Sequence, residues 1–313
     1  MAASKPGRWL AAAAAGLILI AALAGCGAEP RRVAKIGLVA PFEGRYREIG
    51  SDVIPAVRLA LQEWAATDSG RSVLIELVAY DDMGDPELAV EQAAKLAADP
   101  EVVVVIGHWR DITTSAALPV YADAALPLIT YSTDNVENSA GLLNLAPAQA
   151  TLTEAVDTWA ESEDVSVVTL MNSQPTIQQD IDQLLAALAG VYETDTIPVG
   201  GPAWDIAQFP AMAPERAQGS ILFASGLTAS VPDTFAADYK EHSLGVEPGP
   251  YALTAYQAGW LAIQLVLEQI GEEAGSDVST NITFGEDGRR NDAPIYLYRW
   301  ESGQRSLIET LRP

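Results

Sequence analysis

The chain is poor in the residues that build disulfides, zinc sites and basic surfaces. It has a single cysteine, Cys26, so no disulfide can form within the chain. Its two histidines, His108 and His242, lie far apart in sequence and do not have the spacing of a zinc site. Eighteen Lys and Arg stand against 42 Asp and Glu, and the net charge of −24 argues against nucleic acid or an anionic membrane face as a partner.

The common catalytic signatures are missing as well. The sequence has no G-x-S-x-G elbow, no phosphate-binding P-loop and no G-x-G-x-x-G after a predicted strand. His108 follows Gly107 at the end of a strand, where a structural hydrogen bond is a simpler role than catalysis. We therefore expect a binding protein with no cofactor, and not an enzyme.

The N-terminus has the form of an export signal. Lys5 and Arg8 precede the uncharged apolar run Trp9–Leu23, which is short for a membrane span. Leu-Ala-Gly-Cys, ending at Cys26, resembles a bacterial lipobox, in which the cysteine is lipidated after cleavage. An ordinary cleaved signal peptide and a membrane anchor are the alternatives, but the position of the cysteine favours lipidation and anchoring at the outer face of the cytoplasmic membrane.

The stretch Val102–Asn135 organises the rest of the chain. It reads as a buried strand, Val102–Ile106, then a polar turn, a helix from about Thr113 to Ala124, and a second strand, Leu126–Tyr131. A second polar turn, residues 132–135, follows that strand. Open α/β sheets bind ligands at the carboxyl ends of their strands, so both turns are predicted to lie at a binding cleft.

Two further local patterns carry predictions. Ser51 or Asp52 is predicted to N-cap a helix with Pro55 in its first turn. The acidic run Asp81–Asp85 suggests a metal site, but it lacks the full calcium-loop spacing, and Asp85 before Pro86 is typical of a helix N-cap. No metal is predicted.

Several segments together resemble one family. The segment VVVVIGHWRDITTSAALPVYADAALPLIT, the opening KIGLVAPFEGRYREIGSDVIPAVRLALQEW and the tail FGEDGRRNDAPIYLYRWESGQ are similar to the branched-chain amino-acid (Leu/Ile/Val) type of periplasmic substrate-binding protein. Arg45 stands where this family usually has Pro, and Ile49 where it has an aromatic residue, a place that Tyr46 is a candidate to take.

The resemblance implies an α/β fold with two Rossmann-like lobes joined by a multi-crossover hinge. The second lobe is too short for all of the family's usual units. The expected organisation is a signal peptide (1–25), lipidated Cys and tether (26–32), first lobe (33–145, with about 251–280 returning to it), second lobe (146–250), and C-terminal strands and hinge (281–313).

The resemblance also places ligand-binding residues on the two polar turns. The family's usual Ser falls on Asp111 and its usual Thr on Asp134. Two carboxylates about 4 Å apart repel by about 4 kcal/mol at an effective dielectric constant near 20, so a free amino-acid carboxylate fits poorly beside either aspartate unless Arg110 neutralises it. Asp111 and Asp134 have the alternative role of helix caps. The predicted ligand-binding residues are Tyr46, Trp109, Arg110, Asp111, Ser132, Thr133 and Asp134.

The resemblance, with the lipobox-like N-terminus, implies a solute-binding lipoprotein that delivers a small polar solute to an ABC permease. A cationic or neutral solute is at least as well supported as a branched-chain amino acid. A receptor of the same fold coupled to a membrane sensor and an interaction module without a small ligand are the alternatives.

Overall fold

Two five-stranded sheets with flanking helices form the described part of the protein. The computed structural model describes residues 32–67, 70, 73–133, 141–169, 197–200, 221–224, 232–272 and 282–311. The described residues from Val33 onward belong to one compact unit. Within the described residues, no helix is both long enough and apolar enough to cross a membrane.

The first sheet has the strand order β2-β1-β3-β4-β5, and the pairs β1–β3, β3–β4 and β4–β5 are parallel. Its central strands are apolar and buried, as expected of strands covered on both faces. The strands are β1 (Arg32–Ala40), β2 (Val73–Asp81), β3 (Val102–Ile106), β4 (Leu128–Thr130) and β5 (Leu142–Asn144).

The second sheet has the order β10-β9-β8-β7-β6. Strands β6, β7 and β8 pair in parallel, whereas β9 and β10 form an antiparallel hairpin on the edge. The strands are β6 (Val167–Thr169), β7 (Ile197–Gly200), β8 (Ile221–Ala224), β9 (Ile295–Glu301) and β10 (Gln304–Leu311). The predicted helix Thr176–Leu188 lies outside the described residues.

Six helices lie in the described part of the chain. They are α1 (Arg47–Ala66), α2 (Pro86–Ala97), α3 (Asp111–Asp123), α4 (Gln149–Glu163), α5 (Asp233–His242) and α6 (Ala252–Ile270). Helix α6 packs along α1 and against β3. The two helices pack closely at Gly259, where an added Cβ would lie only 2.9 Å from the Cβ of Ala60. Helix α5 also packs against α1.

The cap predicted for the second helix is confirmed. The Asp85 carboxylate accepts hydrogen bonds from the backbone N–H groups of Glu87 and Leu88, at 2.8 and 3.0 Å, with Pro86 in the first turn. The neighbouring Asp81 accepts from the N–H groups of Phe42 and Met83. Local backbone bonds therefore account for the acidic run, and the described residues hold no group of three or more potential metal ligands.

The N-cap predicted for the first helix is wrong. Helix α1 begins at Arg47 with Tyr46 as its N-cap residue, and the Ser51 hydroxyl donates back to the Arg47 carbonyl at 3.0 Å. The helix therefore has one more turn at its start than predicted, and burial of Tyr46 and Ile49, each 4% exposed, stabilises that turn. Tertiary packing overrides the local capping signal here.

Pro55 therefore lies inside α1 and not in its first turn. A proline inside a helix has no N–H for the carbonyl four residues earlier, which is that of Ser51. The Tyr239 hydroxyl, from α5, lies 3.4 Å from this carbonyl and 3.2 Å from that of Asp52. The packing of α5 on α1 thus supplies a donor at the point where the proline removes one.

One hydrophobic cluster joins the first sheet to the aromatic face of β9. Tyr296, Tyr298 and Trp300 alternate along that face and belong to the same buried cluster as the core of α1, α6 and β1. The opposite face of β9, with Ile295 and Leu297, packs with α4 in a separate cluster. Strand β9 therefore contributes to two cores at once.

Candidate functional site

The two polar turns predicted to form a site lie side by side. Strands β3 and β4 are parallel neighbours, with Val105 opposite Leu128 and Ile106 opposite Ile129. Their carboxyl ends therefore meet at one edge of the sheet, where the β3 turn carries Trp109 and the β4 turn carries Ser132.

Asp111 ties the two turns together. One oxygen of its carboxylate accepts hydrogen bonds from the Ser132 hydroxyl and the Thr133 backbone N–H, both at 2.7 Å. The other oxygen accepts from the Thr133 hydroxyl at 2.8 Å. Asp111 is the first residue of α3, and the N-cap residue is Arg110, so its predicted alternative role as an N-cap is wrong.

Further hydrogen bonds, from Asn144 and Arg289, fix the backbone of the β4 turn. The side-chain amide of Asn144 donates to the Ser132 carbonyl at 2.8 Å, and its oxygen accepts from the Ser132 N–H at 3.2 Å. Arg289 donates to the same carbonyl at 2.8 Å and to that of Ala146 at 2.9 Å. Sequence analysis missed both residues, although Asn144 closes an apolar strand and Arg289 lies in the tail that carries the family resemblance.

Three aromatic rings pack beside these turns. Trp109 stacks on Tyr131 at 6.0 Å between ring centroids, and Tyr251 meets both rings edge-on at 6.0 Å. All three side chains are at most 6% exposed. Burial raises the pKa of Tyr251 well above its usual value, so its hydroxyl stays neutral. The Trp109 indole Nε1 is buried and has no hydrogen-bond partner among the described residues.

Arg110, on the β3 turn, packs on Tyr46 at the start of α1. The guanidinium group lies 3.9 Å from the centroid of the Tyr46 ring and donates to the Gly84 carbonyl at 2.9 Å. Cation–π contact and a backbone acceptor together fix its position. The structure thus places five of the seven predicted ligand-binding residues on or directly after the two turns, and it brings the sixth, Tyr46, against Arg110. Asp134, like Cys26, lies outside the described residues.

A sequence match that covers both turns shows the family. The family model for periplasmic binding proteins matches residues 33–189, half of the chain. The chain belongs to this family. No curated protein matches it.

Solved structures of periplasmic binding proteins share the fold. A leucine-binding protein from Thermotoga maritima has a TM-score of 0.71 at 15% identity, covering 90% of this chain and 99% of its own. A branched-chain amino-acid binding protein from Streptococcus pneumoniae, solved with isoleucine, has a TM-score of 0.70 at 16% identity, covering 90% and 100%. A solute-binding protein from R. palustris, solved with benzoate, has a TM-score of 0.69 at 13% identity, covering 90% and 97%.

These similarities confirm the predicted α/β fold of type I periplasmic binding proteins. Family membership also confirms that the protein is a binding protein and not an enzyme, and it implies export to the periplasmic side of the membrane.

His108 has the structural role that the sequence suggested. Its side chain is fully buried, with Nδ1 2.7 Å from the Asp82 carboxylate and Nε2 3.1 Å from the Tyr121 hydroxyl. Its carbonyl accepts from the Thr114 and Thr130 hydroxyls at 3.2 and 2.8 Å. Both ring nitrogens are engaged, so this periplasmic binding protein uses the histidine to join α3 to the strand ends.

A buried carboxyl group, Asp52, lies on α1 next to the aromatic rings. It accepts a hydrogen bond from the Tyr251 backbone N–H at 3.2 Å. Burial is the main cause that raises its pKa to about 7, while the Tyr251 N–H and the charge of Arg305 oppose the rise. Arg305 lies on β10 and also interacts electrostatically with Glu48 in the first turn of α1. Sequence analysis considered Asp52 only as a cap.

Replacement of Arg289 by alanine is expected to destabilise the protein by about 2 kcal/mol. The substitution removes two charge-assisted hydrogen bonds to carbonyls in a partly buried place. Urea unfolding measures the loss. Arg289→Lys is the control, since a lysine keeps the charge without the planar fork and should recover only part of the stability. Alanine and lysine variants both within about 0.5 kcal/mol of wild type would contradict the bracing role.

Proposed function

We propose that this protein is a lipid-anchored extracytoplasmic solute-binding protein, which captures a small polar solute between two α/β lobes and presents it to an ABC importer. The observation that carries the proposal is the joining of two neighbouring strand-end turns by the Asp111 carboxylate, beside the buried rings of Trp109, Tyr131 and Tyr251. The carboxyl ends of parallel strands are where open α/β sheets bind small molecules.

The character of the site favours a cationic or neutral polar solute. Asp111 places a carboxylate at its centre, and Asp134 follows the same turn in sequence. Aromatic faces next to carboxylates suit cations and the apolar parts of neutral solutes. Leucine, isoleucine and benzoate, which the similar proteins are described as binding, each bring a carboxylate that these acids would repel.

A thermal-shift screen of residues 27–313 tests the binding function. The panel contains amino acids, polyamines, betaines, amides, polyols, sugars and benzoates. A solute at 100 times its dissociation constant stabilises a protein by about 2.7 kcal/mol, which gives a clear rise in Tm. We expect a hit among the cationic or neutral members, weakened by Trp109→Ala or Asp134→Ala and unchanged by Asp123→Ala, which removes an exposed acid at the far end of α3.

Other outcomes of the screen would change the proposal. Tight binding of leucine or valine, with no response to amines, amides or polyols, would contradict the predicted solute class. No hit from a protein that melts cooperatively would favour an interaction module. Permease and ATPase genes beside this gene would support transport, whereas a sensor kinase would favour a receptor.

Lipid anchoring at Cys26 is a separate part of the proposal. It is supported by the apolar run and the Leu-Ala-Gly-Cys sequence. Radiolabelled fatty acid should be incorporated into the wild-type chain in cells but not into Cys26→Ser. Equal release of both chains from membranes would contradict it.

A further inference from the structure

The Asp111 carboxylate accepts three hydrogen bonds from one short turn. Two hydroxyls and a backbone N–H of Ser132 and Thr133 reach its two oxygens at 2.7–2.8 Å. Both donor residues are buried, at 0% and 6% exposure. Short bonds from N–H and O–H groups to an ionised acceptor are among the strong hydrogen bonds of proteins.

This arrangement is not a helix cap. Asp111 lies within the first turn of its own helix, yet the two hydroxyls and the N–H group that bond to its carboxylate belong to the turn of the neighbouring strand. The Ser132 backbone is fixed independently, since Asn144 and Arg289 hold its carbonyl. Hydrogen bonds from Asn144 and Arg289 therefore fix the β4 turn, and its donors face α3. A binding site for a small carboxylate would have the same arrangement of donors.

We propose that Asp111 is a built-in anion, which fills a carboxylate-binding place on the β4 turn and thereby makes the protein select solutes that lack a carboxylate at this position. The inference rests on the proposed solute-binding function and adds to it the reason for the selection. A solute carboxylate could bind here only by displacing the Asp111 carboxylate, which is covalently attached to the protein. The solute would lose translational entropy on binding, whereas the Asp111 carboxylate loses none. It must also approach the charge of Asp111 itself, which repels it.

Chemical rescue by formate tests whether the β4 turn binds a carboxylate, and it does not require the natural solute to be known. In residues 27–313, Asp111→Ala is expected to lower the Tm, and added formate should restore it saturably, with a midpoint below about 100 mM. Sodium chloride at equal ionic strength should not restore it. Wild-type protein and Asp111→Asn, whose amide still occupies the space, should show no difference between formate and chloride.

Asp111→Ser keeps the test decisive if the alanine variant does not fold. Serine leaves room for formate and can bond to the donors more weakly than the carboxylate. A folded Ala or Ser variant that responds equally to formate and chloride would overturn the proposal. Formate rescue together with a silent solute screen would instead leave the built-in anion in place and count against the solute-binding function.

The same variants should change solute selection. We expect Asp111→Ala and Asp111→Ser to bind leucine or benzoate at least about tenfold more tightly than wild type, measured by calorimetric titration. Wild-type protein that binds either compound as tightly as the variants would overturn the role of Asp111 in selection.

Discussion

Replacement of Asp82 by alanine is expected to destabilise the protein by about 3–5 kcal/mol, because it leaves two buried hydrogen-bond donors without an acceptor, each at a cost of about 1–3 kcal/mol. Asp82 and His108 are both fully buried, and the carboxylate also accepts the Gly84 N–H at 2.9 Å. Without it, the Nδ1 of His108 and the Gly84 N–H lose their acceptor in a site that excludes water. Urea unfolding at pH 7 measures the change.

A double-mutant cycle separates this contact from the loss of packing. Asp82→Ala/His108→Ala should cost clearly less than the sum of the two single substitutions, because the second substitution removes a group already left without its partner. Glu87→Ala, which removes an exposed acid a few residues away, should change the free energy of unfolding by about 0.5 kcal/mol or less. A cost for Asp82→Ala near that of Glu87→Ala would show that the pair is not structural.

The buried Asp52 is expected to make stability fall as the pH rises from about 4 to about 7. Burial raises its pKa from 3.8 to about 7 in the folded protein. Between these values the unfolded chain releases the proton while the folded chain retains it, so rising pH favours unfolding. The full shift corresponds to about 4 kcal/mol at 1.36 kcal/mol for each pH unit.

Asp52→Asn isolates this effect from the other acidic groups. Asp99 and Asp292 have lowered pKa values, caused mainly by Lys35 and Arg290, and they act in the opposite direction at more acidic pH. The difference in free energy of unfolding between variant and wild type should therefore shift in favour of the variant between pH 4 and pH 7. The amide does not titrate, so a difference that is constant with pH would rule out a raised pKa for Asp52.

Local sequence patterns predicted the elements of the central stretch because those signals are short-range. The β-branched run Val102–Ile106 is a strand as predicted, and the polar turns at the ends of β3 and β4 lie together because parallel neighbours share one edge. The cap at Asp85 was predictable for the same reason, since it depends on the next three residues only.

The residues that sequence analysis missed depend on contacts far apart along the chain. Arg289 reaches a carbonyl 157 residues away, at Ser132, and the chain between them gives no local sign of it. The role of Asp111 was equally hidden. A carboxylate at the start of a helix can cap that helix or bond to a neighbouring turn, and only the lateral order of β3 and β4 decides between these roles.

The position of β9 between two hydrophobic clusters has a consequence for unfolding. Tyr296, Tyr298 and Trp300 complete the cluster that contains the core of the first sheet, while Ile295 and Leu297 on the other side of the same strand complete the core beneath α4. Unfolding of either core would expose one face of β9 to water. That face carries aromatic rings on the side of the first core and aliphatic side chains on the side of the second. We therefore expect the two cores to unfold together, and a chain cut between them to leave each fragment with exposed apolar surface and a tendency to aggregate.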